Sequence, residues 1–135
     1  MLIRKARPED FPAIRRLAET LGLDYEGMEQ KPFWVALEDG KVRGIVALLT
    51  HRDCRELVSL GVDPEARCTG LGGRLIETVM AAAGEDVYLA TVIPEYFARH
   101  GFVRTLRVPP GMAKDPAWCL GCDKEHCTVM VRAKS

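Results

Sequence analysis

The spacing of apolar residues near the amino terminus predicts a strand followed by a helix. Leu2 to Ala6 is a short β-rich run, and Pro8 suits a first helical turn. Beyond it, apolar residues recur every three or four positions, which is the period of one helix face, and Gly22 supplies a stop. The residues of this face are Phe11, Ile14, Leu17, Ala18 and Leu21.

The next apolar runs predict strands. Phe33 to Glu38 and Val42 to Thr50 are separated by Asp39-Gly40, a strong hairpin signal, so we expect them to pair antiparallel. The other strands expected are Glu56 to Val62, Val87 to Thr91, a run after Gly101-Phe102 that reaches Val108, and Cys127 to Arg132.

Two further helices are expected between these strands. Arg74 to Ala83 carries one apolar face and ends at Gly84, and Pro94 starts a short helix through His100. The residues of the first face are Leu75, Ile76, Val79, Met80 and Ala83. The order of elements predicts one mixed α/β sheet.

Length and charge narrow the function. With 135 residues and 47% apolar content, residues 1–135 suit a single domain. Nineteen basic residues balance nineteen acidic ones, so nucleic acid and membrane surfaces are not expected partners. The amino terminus runs directly into charge without an apolar signal core, which predicts a cytoplasmic protein.

The segment from Arg67 to Gly73 predicts a phosphate-binding loop. It follows an expected strand and precedes an expected helix, and glycines 70, 72 and 73 leave the helix-start amides open to a pyrophosphate. For a glycine cluster by itself, a tight turn or close packing is the favoured interpretation, and the flanking strand and helix are what indicate phosphate binding. A P-loop requires Gly-Lys-Ser/Thr, and a dinucleotide fingerprint requires Gly-x-Gly-x-x-Gly; neither is present.

The sequence from Glu56 to Pro64, then Arg67-x-x-Gly70-x-Gly72 and a helix, resembles motif A of the GNAT superfamily of acetyl-CoA-dependent N-acetyltransferases. Tyr96 to Phe102 resembles the family's short helix ending in Gly-Phe, and Tyr88 to Phe97 is similar to the acetyltransferase domain of N-acetylglutamate synthases and short single-domain relatives.

The resemblance implies an α/β fold with a mixed, mostly antiparallel central sheet flanked by helices. It also implies acetyl-CoA as cosubstrate and an enzyme that moves an acetyl group to a primary amine such as that of glutamate. Residues implied to contact acetyl-CoA are Leu60, Gly61, Val62, Arg67, Cys68, Thr69, Gly70, Leu71, Gly72, Gly73, Arg74 and Phe97. Arg67 is also readable as a solvated loop arginine.

Acetyl transfer needs a deprotonated amine, a stabilised oxyanion and a leaving thiolate. Glu56 is the candidate base, since the resemblance implies that the synthases place a glutamate at the matching position. Without the resemblance, a solvated strand-end carboxylate has equal weight. A backbone N–H near Leu60, at a bulge typical of relatives, would meet the oxyanion. Phe97 stands where many relatives carry a tyrosine that acts as the general acid. Thr91 is therefore a weak alternative proton donor, and Tyr96 is interpreted as a packing residue.

The acceptor is open at this level. Relatives hold a substrate carboxylate with basic residues before the second strand, whereas this chain has an acidic segment from Asp24 to Lys31. A general amino acid, another small amine, a protein amino terminus and a non-catalytic acyl-CoA sensor all stay open. A homodimer is common in the resembling family. His51 and His100 are interpreted as surface residues.

Cysteines close to the carboxyl terminus suggest a structural clip. Cys119 and Cys122 have the two-residue spacing of a zinc ligand pair, and His126 or Cys127 would complete the site. Reduced thiols and a disulfide between Cys119 and Cys122 are the alternatives. The acetyl transfer requires no metal.

Overall fold

The structure, a computed structural model, describes residues 1–24, 26–67, 69–112 and 127–134. The strands are β1 (Leu2–Lys5), β2 (Phe33–Glu38), β3 (Lys41–Thr50), β4 (Arg55–Val62), β5 (Val87–Thr91), β6 (Val103–Arg104) and β7 (Thr128–Arg132). The helices are α1 (Phe11–Leu21), α2 (Leu71–Ala83) and α3 (Pro94–Ala98), with 3-10 turns at Pro8–Asp10, Met28–Gln30 and Pro64–Ala66.

In the described residues, seven strands follow the hydrogen-bonded order β1-β2-β3-β4-β5-β7-β6. The pairs β1–β2, β2–β3, β5–β7 and β6–β7 are antiparallel, and β4 pairs with β5 in parallel at Arg55 and Glu56. The expected fold class, a mixed and mostly antiparallel sheet with flanking helices, is therefore confirmed.

Two compact units make up the chain: Met1–Leu49 with Leu57–Ala82, and Thr50–Glu56 with Ala83–Ser135. In the first unit, α1 buries its apolar face together with residues of β2 and β3. The buried cluster comprises Ile14, Leu17, Ala18, Met28, Phe33, Val35, Val42, Ile45 and Ala47. The single domain over residues 1–135 stays a prediction.

On the other face of β3, helix α2 approaches the strand closely at Gly44. A Cβ there would lie 2.9 Å from Leu75 Cδ1 and 3.2 Å from Leu71 Cδ2. A glycine at this position lets the first turn of α2 rest on the strand, so β3 sets the position where α2 begins.

In the second unit, the core lies around β5, β7 and α3. Leu89, Phe102 and Met130 are buried, and the Phe97 ring meets the Phe102 ring edge-on at 5.8 Å. The first residues of β4 belong to this unit, and Arg55 Nη1 donates to the carbonyl of Ala83 at 3.3 Å.

The hairpin and the first helix agree with their sequence patterns. Asp39 and Gly40 have φ values of 50° and 79°, as a type I′ turn requires, and α1 ends at Gly22 with a φ of 70°. Other strand ends agree within one residue.

Three expected boundaries were wrong. Helix α2 begins at Leu71 rather than Arg74, because glycines are tolerated in a first turn and Arg74 N–H already bonds the Gly70 carbonyl. Helix α3 ends at Ala98. The sixth strand ends at Arg104 rather than Val108, because Thr105 Oγ1 accepts the Arg107 N–H and turns the chain away.

Candidate active site

The chain leaves β4 through a fixed turn that leads into the glycine loop. Asp63 caps the 3-10 turn by accepting the Glu65 N–H at 3.0 Å, and its other carboxylate oxygen pairs with Arg43 at 3.1 Å. The Glu65 amide, followed by Arg43, lowers the pKa of the Asp63 carboxyl. Thr69 Oγ1 then donates to the Ala66 carbonyl at 2.5 Å. These bonds orient the loop before the helix begins.

The start of α2 has the geometry of an anion cradle. Gly70 has a φ of 81°, and a Cβ there would meet nothing within 4 Å, so the space beside it is open. Arg74 N–H closes the first helical bond onto the Gly70 carbonyl at 3.1 Å. The N–H groups of residues 71 to 73 precede that bond and lack intrahelical partners by helix geometry. With the helix dipole, they favour a phosphate.

Two arginines flank this cradle. Arg67 Nε donates to the Val62 carbonyl at 3.3 Å, and Arg74 Nη2 donates to the Met1 carbonyl at 3.3 Å. Both side chains are exposed. Cys68, which the sequence places in the loop, lies outside the described residues.

Strand β4 is distorted just ahead of Leu60. Ser59 has a φ of 56°, in the left-handed region that a non-glycine residue rarely adopts inside a strand. Two residues later, a Cβ on Gly61 would lie 2.8 Å from Leu21 Cδ1 and 2.9 Å from Leu23 Cδ1. The close contact of Gly61 with the end of α1 and the left-handed conformation of Ser59 together change the direction of the backbone around Leu60.

Glu56 is buried and paired with His51. His51 Nε2 lies 2.6 Å from Glu56 Oε1, and the two side chains are 12% and 4% exposed. The interpretation of Glu56 as a solvated strand-end carboxylate is therefore wrong. The interpretation of His51 as a surface residue is also wrong, because the β3–β4 turn folds the imidazole onto the carboxylate five residues later.

The remaining site candidates lie on β5 and α3. Thr91 is buried, and its Oγ1 accepts the Ile93 N–H at 2.9 Å, which ends the strand in a turn. Phe97 is buried against Phe102. Tyr96 packs edge-on against Phe97 at 5.1 Å and beside His100 at 4.9 Å, and burial raises the pKa of its phenol.

Within the first unit, the structure brings together the loop, the start of α2 and the distorted stretch from Leu60 to Val62. The second unit holds Glu56, Thr91 and Phe97 and adds His51, which the sequence analysis missed. The sequence signal that would have identified it is a histidine five residues before a strand-end glutamate, across a short turn.

The cysteine motif is only partly visible. Cys119, Cys122 and His126 lie outside the described residues, and Cys127 directly precedes β7 and is half-buried. Across residues 1–24, 26–67, 69–112 and 127–134, no three His, Cys, Asp or Glu side chains group as a metal site.

The chain belongs to the acetyltransferase (GNAT) family, whose family model matches residues 2–106. The expected resemblance is thus confirmed, and with it the class of an acetyl-CoA-dependent N-acyltransferase that uses acetyl-CoA as cosubstrate. This class replaces the alternative of a non-catalytic acyl-CoA sensor.

Two proteins of Mycobacterium tuberculosis are similar to this chain over most of its length. An amino-acid acetyltransferase of Mycobacterium tuberculosis is 32% identical over 126 residues, which cover 80% of this chain and 71% of the relative. Rv2747 from Mycobacterium tuberculosis, solved in complex with CoA and NLQ, is 27% identical with a TM-score of 0.79, covering 98% and 99% of the two chains.

The expected similarity to N-acetylglutamate synthases is also confirmed. The synthase of Neisseria gonorrhoeae, solved with coenzyme A and L-arginine, is 26% identical with a TM-score of 0.81. The match covers 98% of this chain and 32% of the synthase.

Among the described residues of this chain, no helix is both long and apolar enough to cross a membrane.

Proposed function

We propose that the protein transfers the acetyl group of acetyl-CoA to the α-amine of a small amino acid. The observation that carries this proposal is the 32% identity, over 80% of the chain, to an amino-acid acetyltransferase. The similarity to Rv2747, solved with CoA, and to a synthase solved with coenzyme A supports the same chemistry.

The pyrophosphate of acetyl-CoA binds at the start of α2. Support comes from the open space at Gly70 and from the three N–H groups of residues 71 to 73 that precede the first closed helical bond. Arg67 and Arg74 add positive charge at the rim of the cradle. Because both side chains are exposed, their contribution to affinity is smaller than that of the backbone amides.

The acetyl carbonyl oxygen is met by the Leu60 backbone N–H. Support comes from Ser59, whose left-handed conformation interrupts the regular strand one residue before Leu60. A fixed amide donor at this point costs no reorganisation as negative charge develops on the oxygen.

Glu56 activates the acceptor. A free α-amine is largely protonated near neutrality, so one proton passes from the ammonium to the Glu56 carboxylate, directly or through a water. The nitrogen lone pair attacks the thioester carbon, and the carbonyl electrons move onto oxygen. When the tetrahedral intermediate collapses, the oxyanion re-forms the carbonyl and the C–S bond breaks. Nitrogen loses two protons in the whole reaction: one ends on CoA, which leaves as the thiol, and the other goes to solvent, so that Glu56 is again a carboxylate.

The departing thiolate needs little acid help, because a thiol with a reference pKa of about 8.5 is a tolerable leaving group. Phe97 has no proton to offer. Thr91 accepts one hydrogen bond through Oγ1, which leaves its own hydroxyl proton to donate, so it stays the candidate acid on β5.

The segment before β2 sets the acceptor class. Glu29 is paired with Arg15, whereas Asp24 and Glu26 are exposed acids. These carboxylates repel an acceptor that carries a second carboxylate, so we expect neutral amino acids to be used at least as well as glutamate.

A thiol-release assay over an amine panel tests the proposal. The panel holds glutamate, glutamine, alanine, a simple alkyl amine and a short peptide with a free amino terminus. We expect turnover with an α-amino acid. Turnover with the peptide alone contradicts the proposal and identifies a protein N-acetyltransferase instead.

Glu56→Gln tests the base. The variant should lose a factor of roughly 10² to 10⁴ in kcat with little change in acetyl-CoA affinity. Glu95→Gln is the matched control, because Glu95 is an exposed carboxylate in the same unit and outside the proposed machinery. Unchanged turnover in Glu56→Gln would show that the carboxylate is only structural.

A further inference from the structure

The strongest unassigned feature in the described residues is the buried contact between His51 and Glu56. A separation of 2.6 Å between Nε2 and Oε1 requires a proton between them. In its proposed role as the base, the Glu56 carboxylate is ionised and only accepts, so the imidazole Nε2–H donates in that state. No step of the proposed acetyl transfer involves His51.

Several contacts hold His51 in place. Its own N–H donates to the Cys54 carbonyl at 2.8 Å and closes the β3–β4 turn. Gly111 lies against the side chain so closely that a Cβ there would come within 2.7 Å of His51 Cβ and 3.0 Å of Cγ. Asp53 accepts the Gly111 N–H at 3.2 Å, which ties that loop to the turn.

Among the described residues, two further polar groups are placed near the His51–Glu56 pair. Tyr88 of β5 stands in register with Glu56, and the Asp53 carboxylate is engaged with the Gly111 amide on the His51 side. His51 is therefore the described imidazole that meets the Glu56 carboxylate, and it does so from a backbone turn that is itself hydrogen-bonded.

We propose that His51 is the positioning residue for the catalytic carboxylate. Its Nε2–H fixes Oε1 of Glu56, so that the rotamer is set and Oε2 takes the proton of the acceptor amine. This inference rests on the proposed role of Glu56 as the base. A carboxylate held in one orientation spares the search for a reactive geometry, and a misplacement of about 1 Å costs on the order of 10² in rate.

The test compares two amides that differ in reach. The side-chain amide nitrogen that His51→Gln introduces extends as far as the imidazole Nε2, whereas the shorter amide of His51→Asn does not reach Glu56. We expect His51→Asn to lower kcat by about 10² with the KM for acetyl-CoA unchanged, and His51→Gln to recover most of the loss. Equal kcat in the two variants overturns the proposal.

A double-mutant cycle tests the positioning role of His51 separately from the role of Glu56 as the base. His51→Asn is combined with Glu56→Gln, and we expect no further loss of kcat beyond Glu56→Gln alone, because a positioning residue has nothing left to position. Multiplying losses would show that His51 acts independently and would overturn the inference. If Glu56→Gln has wild-type kcat, the proposed base is wrong.

If Glu56→Gln is slow while His51→Asn has wild-type kcat, the base stands and the positioning role is overturned. Thermal melting of each variant completes the comparison. A purely stabilising pair would lower the melting temperature of His51→Asn and leave the kcat of the folded enzyme intact, which also overturns the proposal.

Discussion

Gly111→Ala is expected to slow the enzyme by moving His51. The added methyl group would lie 2.6 Å from Asp53 Oδ1, 2.7 Å from His51 Cβ and 3.0 Å from His51 Cγ. Ordinary contact begins at 3.4 Å, so these atoms must separate by 0.4 Å (3.4 minus 3.0) to 0.8 Å (3.4 minus 2.6). One of the three is a Cβ atom, so a side-chain rotation alone does not relieve the overlap.

The free-energy cost follows from this overlap. Overpacking of this kind costs about 1–3 kcal/mol. Because the His51 N–H is bonded to the Cys54 carbonyl, the turn moves with the residue, and the Nε2–Oε1 contact of 2.6 Å lengthens. A loss of about 1.4 kcal/mol of transition-state stabilisation is tenfold in rate, so we expect kcat to fall about tenfold or more.

Steady-state kinetics and thermal melting check the prediction. The KM for acetyl-CoA should stay within about twofold, because neither His51 nor Gly111 belongs to the proposed pyrophosphate cradle. Gly84→Ala is the control: it has a φ of 63° and nothing within 4 Å, so it costs backbone strain of about 1 kcal/mol without a new contact. A Gly111→Ala enzyme with the kcat of Gly84→Ala would refute the idea that this packing positions His51.

Other predictions concern the cradle, acid stability and the cysteines. Gly70→Val should weaken acetyl-CoA binding about tenfold or more, because a β-branched residue is strained at a φ of 81°; a calorimetric affinity unchanged in the folded variant contradicts the cradle. The lowered pKa of Asp63 contributes stability that is complete above its unfolded value of about 3.9 and is lost as pH falls toward the folded value. The free energy of unfolding, measured with urea, should therefore fall below about pH 4, and it should fall less steeply in Asp63→Asn. Equal slopes in the two proteins would show that Asp63 is not the group. Metal analysis of protein purified without chelator decides between the zinc clip and the thiol or disulfide alternatives: stoichiometric zinc that is lost in a Cys119→Ser/Cys122→Ser variant supports the clip, and folded, metal-free wild-type protein rules it out.

Elements whose causes are local follow from the amino-acid sequence alone. Asp39-Gly40 specifies the hairpin because both residues adopt positive φ at little cost, and the three- to four-residue period specifies α1 up to Gly22. The glycine loop was recognisable for the same reason, since its open backbone and the following helix lie within a few consecutive residues. Glu56 was found through a family resemblance, and its burial was not readable from the sequence.

The environment of the Glu56 carboxylate depends on tertiary packing. In the sequence, His51 is an ordinary histidine near the end of an element. In the structure, the β3–β4 turn places its Nε2 2.6 Å from Glu56 Oε1. Gly111 reads as a loop glycine until its backbone lies against His51, which is far away along the chain. Periodicity and turn chemistry report on neighbours along the chain, whereas burial and hydrogen-bond partners depend on which distant segments pack together, and that information resides in the fold.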